Sequence, residues 1–183
     1  MAIRAAVLSD AASIASLHAS SWQTAYRGIL QQDFLDGPVI ANRRQLWERR
    51  LCADPPQGQF ILVSDQGGEI QGFACAFLDA DPEWGTLLDN LHVAPRQKGR
   101  GLGGQLMAVV AQTVLRDGLI PRLHLWVYEK NLPARRFYER LGGSATDCVV
   151  EPAPDGGHVT AIRYAWRPLG DLAARCGHDG SLG

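Results

Sequence analysis

Residues 86–115 constrain this chain more than any other stretch. They read TLLDNLHV, then APRQKGRGLGG, then QLMAVVAQTVL. The first piece is a short apolar strand. The third is a helix, with Leu106, Val109, Val110, Thr113 and Val114 at three- and four-residue spacing. Between them lies a loop with four glycines and three basic residues, Arg96, Lys98 and Arg100. A glycine-rich loop that opens a helix is an anion site. Its N–H groups can turn inward and approach a phosphate closely, where the positive end of the helix dipole adds to them.

Two common phosphate motifs fit this loop badly or only formally. A P-loop needs Lys and then Ser or Thr directly after its closing glycine. Gln105 and Leu106 follow Gly104, so that reading fails. A dinucleotide fingerprint, G-x-G-x-x-G, matches at Gly99, Gly101 and Gly104, and Glu129 at the end of the next strand could serve as its ribose acid. In that motif the glycines follow the strand directly, whereas residues 94–98 intervene here. A nicotinamide-dependent oxidoreductase therefore stands as an alternative.

At 183 residues the chain reads as one domain, residues 1–169, with a Gly- and Asp-rich tail, 170–183, read as flexible. Such a chain buries roughly 70% of its unfolded surface, enough for a core without staples. A net charge of −1 argues against a general nucleic-acid binder. Cys52, Cys75, Cys148 and Cys176 are widely spaced, neither a disulfide framework nor a zinc site, and no metal constellation is visible. The start MAIRAAVLSD has no apolar signal core, and no apolar run is long enough to span a membrane. These features predict a cytoplasmic protein with reduced thiols and no membrane partner.

In chain order, residues 3–7 read as a strand, and Ser9 or Asp10 as the cap of a helix carrying Ile14, Leu17, Ser21 and Ala25 on one stripe. His18, Trp22 and Tyr26 form an adjoining ridge, the aromatics reading equally as core residues. Residues 33–35 and 40–51 read as helical, with RRQLWERR as a solvated, charge-rich face. Residues 59–64, 70–78 and 84–93 predict a three-strand antiparallel meander, and Gly72, Ala74 and Ala76 leave one of its faces small enough for close helix packing. After the central helix, 121–128 alternates as a strand, which implies a right-handed crossover and a parallel pair. Asn131 suits a helix cap, Pro133 its first turn and Gly142 its end, with Ala134, Phe137, Tyr138 and Leu141 on one face. Residues 144–151 and 158–166 read as a closing hairpin.

The segment LDNLHVAPRQKGRGLGGQLM resembles motif A of the GNAT superfamily of acetyl-CoA-dependent N-acetyltransferases, [R/Q]-x-x-G-x-[G/A]. One register starts at Lys98, a departure from Arg or Gln, and runs through Gly99, Arg100, Gly101, Leu102 and Gly103 to Gly104. A second, residues 96–101, satisfies the consensus literally; the first sits better relative to Pro95. Downstream, Asn131, Ala134, Phe137, Tyr138 and Gly142 match N-x-x-A-x-x-F/L-Y-x-x-x-G. Two motifs in the right order are far more specific than one.

The resemblance implies a mixed α/β fold whose two central parallel strands splay apart. It implies acetyl-CoA as donor, its phosphates on the loop and its pantetheine arm along Leu91, His92 and Val93, with Asn131 and Ala134 also near the arm. A primary amine on a small molecule or peptide is the implied acceptor, taken up directly in a ternary complex; HxxSWxxAYRGIL resembles the helix that walls its side, placing Trp22 and Tyr26 there. Tyr138 takes the part of the acid that protonates the leaving thiolate, a fit partner since phenol and thiol pKa values lie within roughly two units. Asp89, a carboxylate in an apolar strand, is a candidate base, acting directly or through a water held with Asn90, and reads equally as a salt-bridged strand residue. His92 and His124 are lesser candidates, and Arg135 and Arg136 read as solvated. No cysteine has a nucleophile setting, which disfavours a covalent route. A homodimer is common in such folds. A non-catalytic CoA-binding module on the same fold is the remaining alternative.

Overall fold

A computed structural model describes residues 2–52, 54–170 and 172. Seven strands form one sheet: β1 (Ala2–Ala5), β2 (Gln59–Gln66), β3 (Glu69–Asp81), β4 (Gly85–Val93), β5 (Leu123–Tyr128), β6 (Ser144–Pro152) and β7 (His158–Trp166). Their order is β1-β2-β3-β4-β5-β7-β6, and β4–β5 is the parallel pair in an otherwise antiparallel sheet. The helices are α1 (Ala11–Ala25), α2 (Gln32–Asp36), α3 (Val39–Arg50), α4 (Leu102–Asp117) and α5 (Leu132–Arg140). This is the mixed α/β architecture expected from the sequence. It lacks the doubly wound parallel sheet that a dinucleotide fingerprint serves.

The alternation of β3 divides the core between the two faces of the sheet. Ala74 and Ala76 pack with Met107, Val110, Ala111 and Val114 of α4. Phe73 and Cys75 face the other way, against Ile14 of α1 and Trp47 of α3. Gly72 explains how α4 comes so close. A Cβ there would stand 3.1 Å from Leu106 Cδ1 and 3.2 Å from Leu102 Cδ2.

Four details depart from the sequence reading. The first strand ends at Ala5, and Val7 is exposed. The Asp10 carboxylate accepts the Val7 N–H at 2.8 Å and pairs with Arg4 at 2.7 Å, folding residues 8–10 into a 3-10 turn that ends the strand. Asp10 therefore closes that turn and makes no side-chain cap on α1. Along α3 the charged face is not wholly solvated: Arg43 is buried and Arg50 partly so. Arg135 donates to Tyr164 Oη at 3.3 Å and to the Glu129 carbonyl at 3.1 Å, so it is tied to the protein.

No helix among the described residues is long and apolar enough to cross a membrane. Of the tail, Leu172 is buried beside Leu169 in the α4-side core; the other residues from 171 on, Cys176 included, lie outside the described residues.

Candidate active site

The parallel pairing of β4 and β5 lasts two rungs, Thr86 with Leu123 and Leu87 with His124. Beyond Leu87 the strands diverge, and a cavity of about 1230 Å³ opens between them. Leu88 to Val93 line one side and Leu125 to Tyr128 the other. The β5-facing edge of β4 thus carries backbone groups with no strand partner. A β-bulge adds to the divergence. Cys75 pairs with Asn90 and Ala76 with Leu88, so Asp89 is the extra residue, a device that bends a strand.

The glycine loop closes one end. Gly99 and Gly101 have φ of +78° and +80°, a region glycine enters without strain. Gly101 is the N-cap of α4, and the first helical hydrogen bond runs from Gln105 N–H to the Gly101 carbonyl at 3.0 Å. The N–H groups of Leu102, Gly103 and Gly104 are therefore left over at the helix start, as at any helix N-terminus. A Cβ on Gly99, Gly101 or Gly104 would meet nothing within 4 Å, so the cradle is open. Lys98 lines the cavity, whereas Arg96 is held by Glu69 and Gln71. Arg100 is exposed and outside the lining.

On the opposite wall, Asn131 Oδ1 accepts the Ala134 N–H at 3.4 Å and starts α5. This helix presents Ala134, Phe137, Tyr138 and Leu141 to the cavity. Burial holds the Tyr138 phenol well above its ordinary pKa, so it is protonated at neutral pH.

The far end is built by α1, α3 and the tips of β4, β5 and β6. Trp22, Tyr26 and Tyr128 stand in a row, with ring centroids 5.1 and 5.0 Å apart. The Arg43 guanidinium lies 4.0 Å over the Trp22 ring. Arg50 Nη2 meets Asp89 Oδ2 at 2.6 Å, and its Nη1 donates to Asn90 Oδ1 at 2.6 Å. His92 Nδ1 bonds Ser21 Oγ at 2.8 Å, and burial, reinforced by the charges of Arg43 and Lys98, pushes its pKa down to about 3. His92 is thus neutral. His124 is outside the cavity lining and bonds the Trp84 carbonyl at 3.3 Å.

The acetyltransferase (GNAT) family model matches residues 17–143, more than half of the chain and both sequence motifs. The chain belongs to the GNAT acetyltransferase family. It is 27% identical to the uncharacterized N-acetyltransferase YuaI of Bacillus subtilis, over 94% of both chains. A putative GNAT-family acetyltransferase from Desulfovibrio desulfuricans superposes with a TM-score of 0.68 at 25% identity, covering 90% of this chain and 97% of that one. The putative acetyltransferase yncA from Salmonella typhimurium, solved with its cofactor acetyl-CoA, shares the fold with a TM-score of 0.63 at 21% identity, over 91% and 92%.

Three cavity residues of this acetyltransferase escaped the sequence reading. Arg43 and Arg50 were folded into a solvated run, yet with Trp47 they recur at i, i+4 and i+7, a one-face spacing that could have been read. Glu151, near the end of β6, had no signal. Burial, then the neighbouring Asp89 charge, raises its pKa.

Proposed function

We propose that this acetyltransferase moves the acetyl group of acetyl-CoA to a primary amine by direct attack in a ternary complex. The observation that carries the reading is the continuity of one cleft from the glycine loop to Tyr138 and on to the aromatic wall. The loop amides and Lys98 suit the coenzyme phosphates. The unpaired edge of β4 offers Leu91, His92 and Val93 backbone groups to an amide-bearing arm, and an N–H there can meet the thioester oxygen as negative charge grows on it.

The proton steps follow from the side chains. An ammonium group cannot attack, so it must first give up a proton. Asp89 is already ion-paired with Arg50 and is the poorer acceptor. Glu151 makes no ion pair with the described residues, and its proton affinity is raised, so it is the base in this reading, with Asp89 supporting it. The acceptor amine then forms its bond to the acetyl carbon, the thioester C–S bond breaks, and Tyr138 gives its proton to the departing sulfur. The depressed pKa of His92 suits a scaffold for α1 and β4 rather than a proton carrier at neutral pH.

Thermal melting with acetyl-CoA, CoA, NADH and NADPH in parallel tests the donor. A ligand at 100 times its Kd stabilises by about 2.7 kcal/mol, a shift of roughly 5–10 °C for a domain this size. A shift with acetyl-CoA and CoA, followed by CoA release with an amine panel, is the expected result. A shift only with NADH or NADPH overturns the reading, and acetyl-CoA binding with no turnover on any amine leaves a binding module.

A further inference from the structure

Arg43 is nine-tenths buried, lines the cavity, and makes no ion pair with any described carboxylate. Its Nε donates to the neighbouring Asn42 Oδ1 at 3.0 Å, and its Nη2 donates to the same oxygen. Nη1 donates to no described group and is not among the buried polar atoms sealed without a partner. Burying a guanidinium is costly unless an anion meets it. Here burial, aided by the positive charge of Arg50, pulls its pKa down to about 10, which still leaves it charged at neutral pH.

The charges around it narrow the complement. Arg50 and Asp89 cancel each other. Burial keeps Tyr26 and Tyr128 protonated, the latter pushed up to about 12. Among the described residues that line this end, what remains is one uncompensated cation, Arg43, and one uncompensated carboxylate, Glu151, with the Trp22–Tyr26–Tyr128 row between them. A lysine side chain of a protein brings an ammonium and no anion, and a polyamine would bring further positive charge towards Arg43. Neither fits this pair of charges.

We infer that the acceptor is a small amine that also bears a carboxylate, received by Arg43 on the acceptor side of the cleft while its ammonium faces Glu151. This deepens the acetyl-transfer reading above and rests on it. A guanidinium meets a carboxylate through parallel N–H donors, and a site built to hydrogen-bond a group discriminates steeply against analogues that lack it.

The test is a matched panel: α-amino acids, ω-amino acids of increasing length, and the same amines with the carboxylate removed or amidated, scored by CoA release. With wild type, kcat/KM for the favoured amino-carboxylate exceeds that for its carboxylate-free match by about 100-fold or more. In Arg43→Gln the ratio collapses to within about threefold, and Arg43→Lys recovers part of it. Equal turnover of matched acids and amines, a uniform loss on both in Arg43→Gln, or no turnover of any member while acetyl-CoA still raises Tm, overturns the inference. Absence of any acetyl-CoA shift in wild type sinks the acetyl-transfer reading itself and the inference with it. The wild-type comparison needs no variant to fold.

Discussion

Arg50 Nη2 sits 2.6 Å from Asp89 Oδ2, so the residue extruded by the β4 bulge is tied to the last turn of α3. The same guanidinium reaches Asn90 and lies 5.4 Å over Trp47. Arg50→Ala removes all of these at once and leaves a partly buried carboxylate without its partner. The expected loss is about 1–3 kcal/mol, read as a fall in Tm of roughly 3–10 °C. Asp89→Asn, which keeps a hydrogen-bond acceptor for Arg50, costs less. Equal melting of wild type and Arg50→Ala would show that the bulge holds without this clamp.

Tyr138→Phe keeps the ring packing against Phe137 and Trp166 and deletes only the hydroxyl. Loss of the acid lowers kcat by about 10²–10⁴-fold, while the acetyl-CoA melting shift stays the same. Glu151→Gln behaves differently: it flattens the acidic limb of the pH–rate profile, because the carboxylate that must be ionised is gone. A profile unchanged in Glu151→Gln would move the base elsewhere.

Gly101→Ala places a side chain at φ +80°. No atom lies within 4 Å of the new Cβ, so the strain is in the backbone alone, about 1–2 kcal/mol. The loop relaxes away from that conformation, and acetyl-CoA binding weakens by about tenfold at this energy. Gly104→Ala is the contrast: inside α4, with open space around the Cβ and an ordinary φ, it raises the Tm of the ligand-free protein by an increment of about 0.5–1 kcal/mol. Isothermal titration with CoA and differential scanning calorimetry read both effects.

The His18 and His92 rings lie tilted against each other with centroids 4.5 Å apart, both held neutral chiefly by burial. Their folded pKa values lie below the unfolded value, so the unfolded chain takes up protons first as pH falls. Stability from this pair is complete above about pH 6.5 and is lost as pH falls towards 3. Asp10 and Asp65, whose pKa values Arg4 holds down, contribute stability that is fully present above the ordinary carboxylate range and is lost only as pH falls below it. Urea midpoints at pH 7.5, 6, 5, 4 and 3 separate the two windows. A flat midpoint from pH 7.5 to 5 contradicts the histidine account.

The glycine loop and the Asn131–Gly142 helix were legible because their physics is local. Positive φ, an N-cap and a helix start are each written in a few consecutive residues, as at Gly101 and Asn131. Asp89 was legible as an anomaly, a charge in an apolar strand, but its place at a bulge depends on the register of β3. Arg43 was legible only as sharing a helix face with Trp47, and Glu151 not at all, because they reach the cleft from α3 and β6, elements far apart in sequence. A charged residue on a helix reads as solvated until one knows what packs beside it. Arg43 is buried because Trp22 of α1 lies under its guanidinium.

The two-rung contact between β4 and β5 turns a pair of sheet edges inward. Exposed edges invite pairing with other chains, and here that capacity is enclosed within the fold. The cleft is then a ruler as well as a container. A guest lying along β4 as a guest strand is graduated by the strand's own repeat, roughly 3.3 Å per residue. An arm shorter or longer by one such step, anchored at the same loop, delivers its reactive end short of Tyr138 or past it. Under the proposed reading, donor selection by length follows from the backbone, and side-chain changes along the walls alter grip without recalibrating reach.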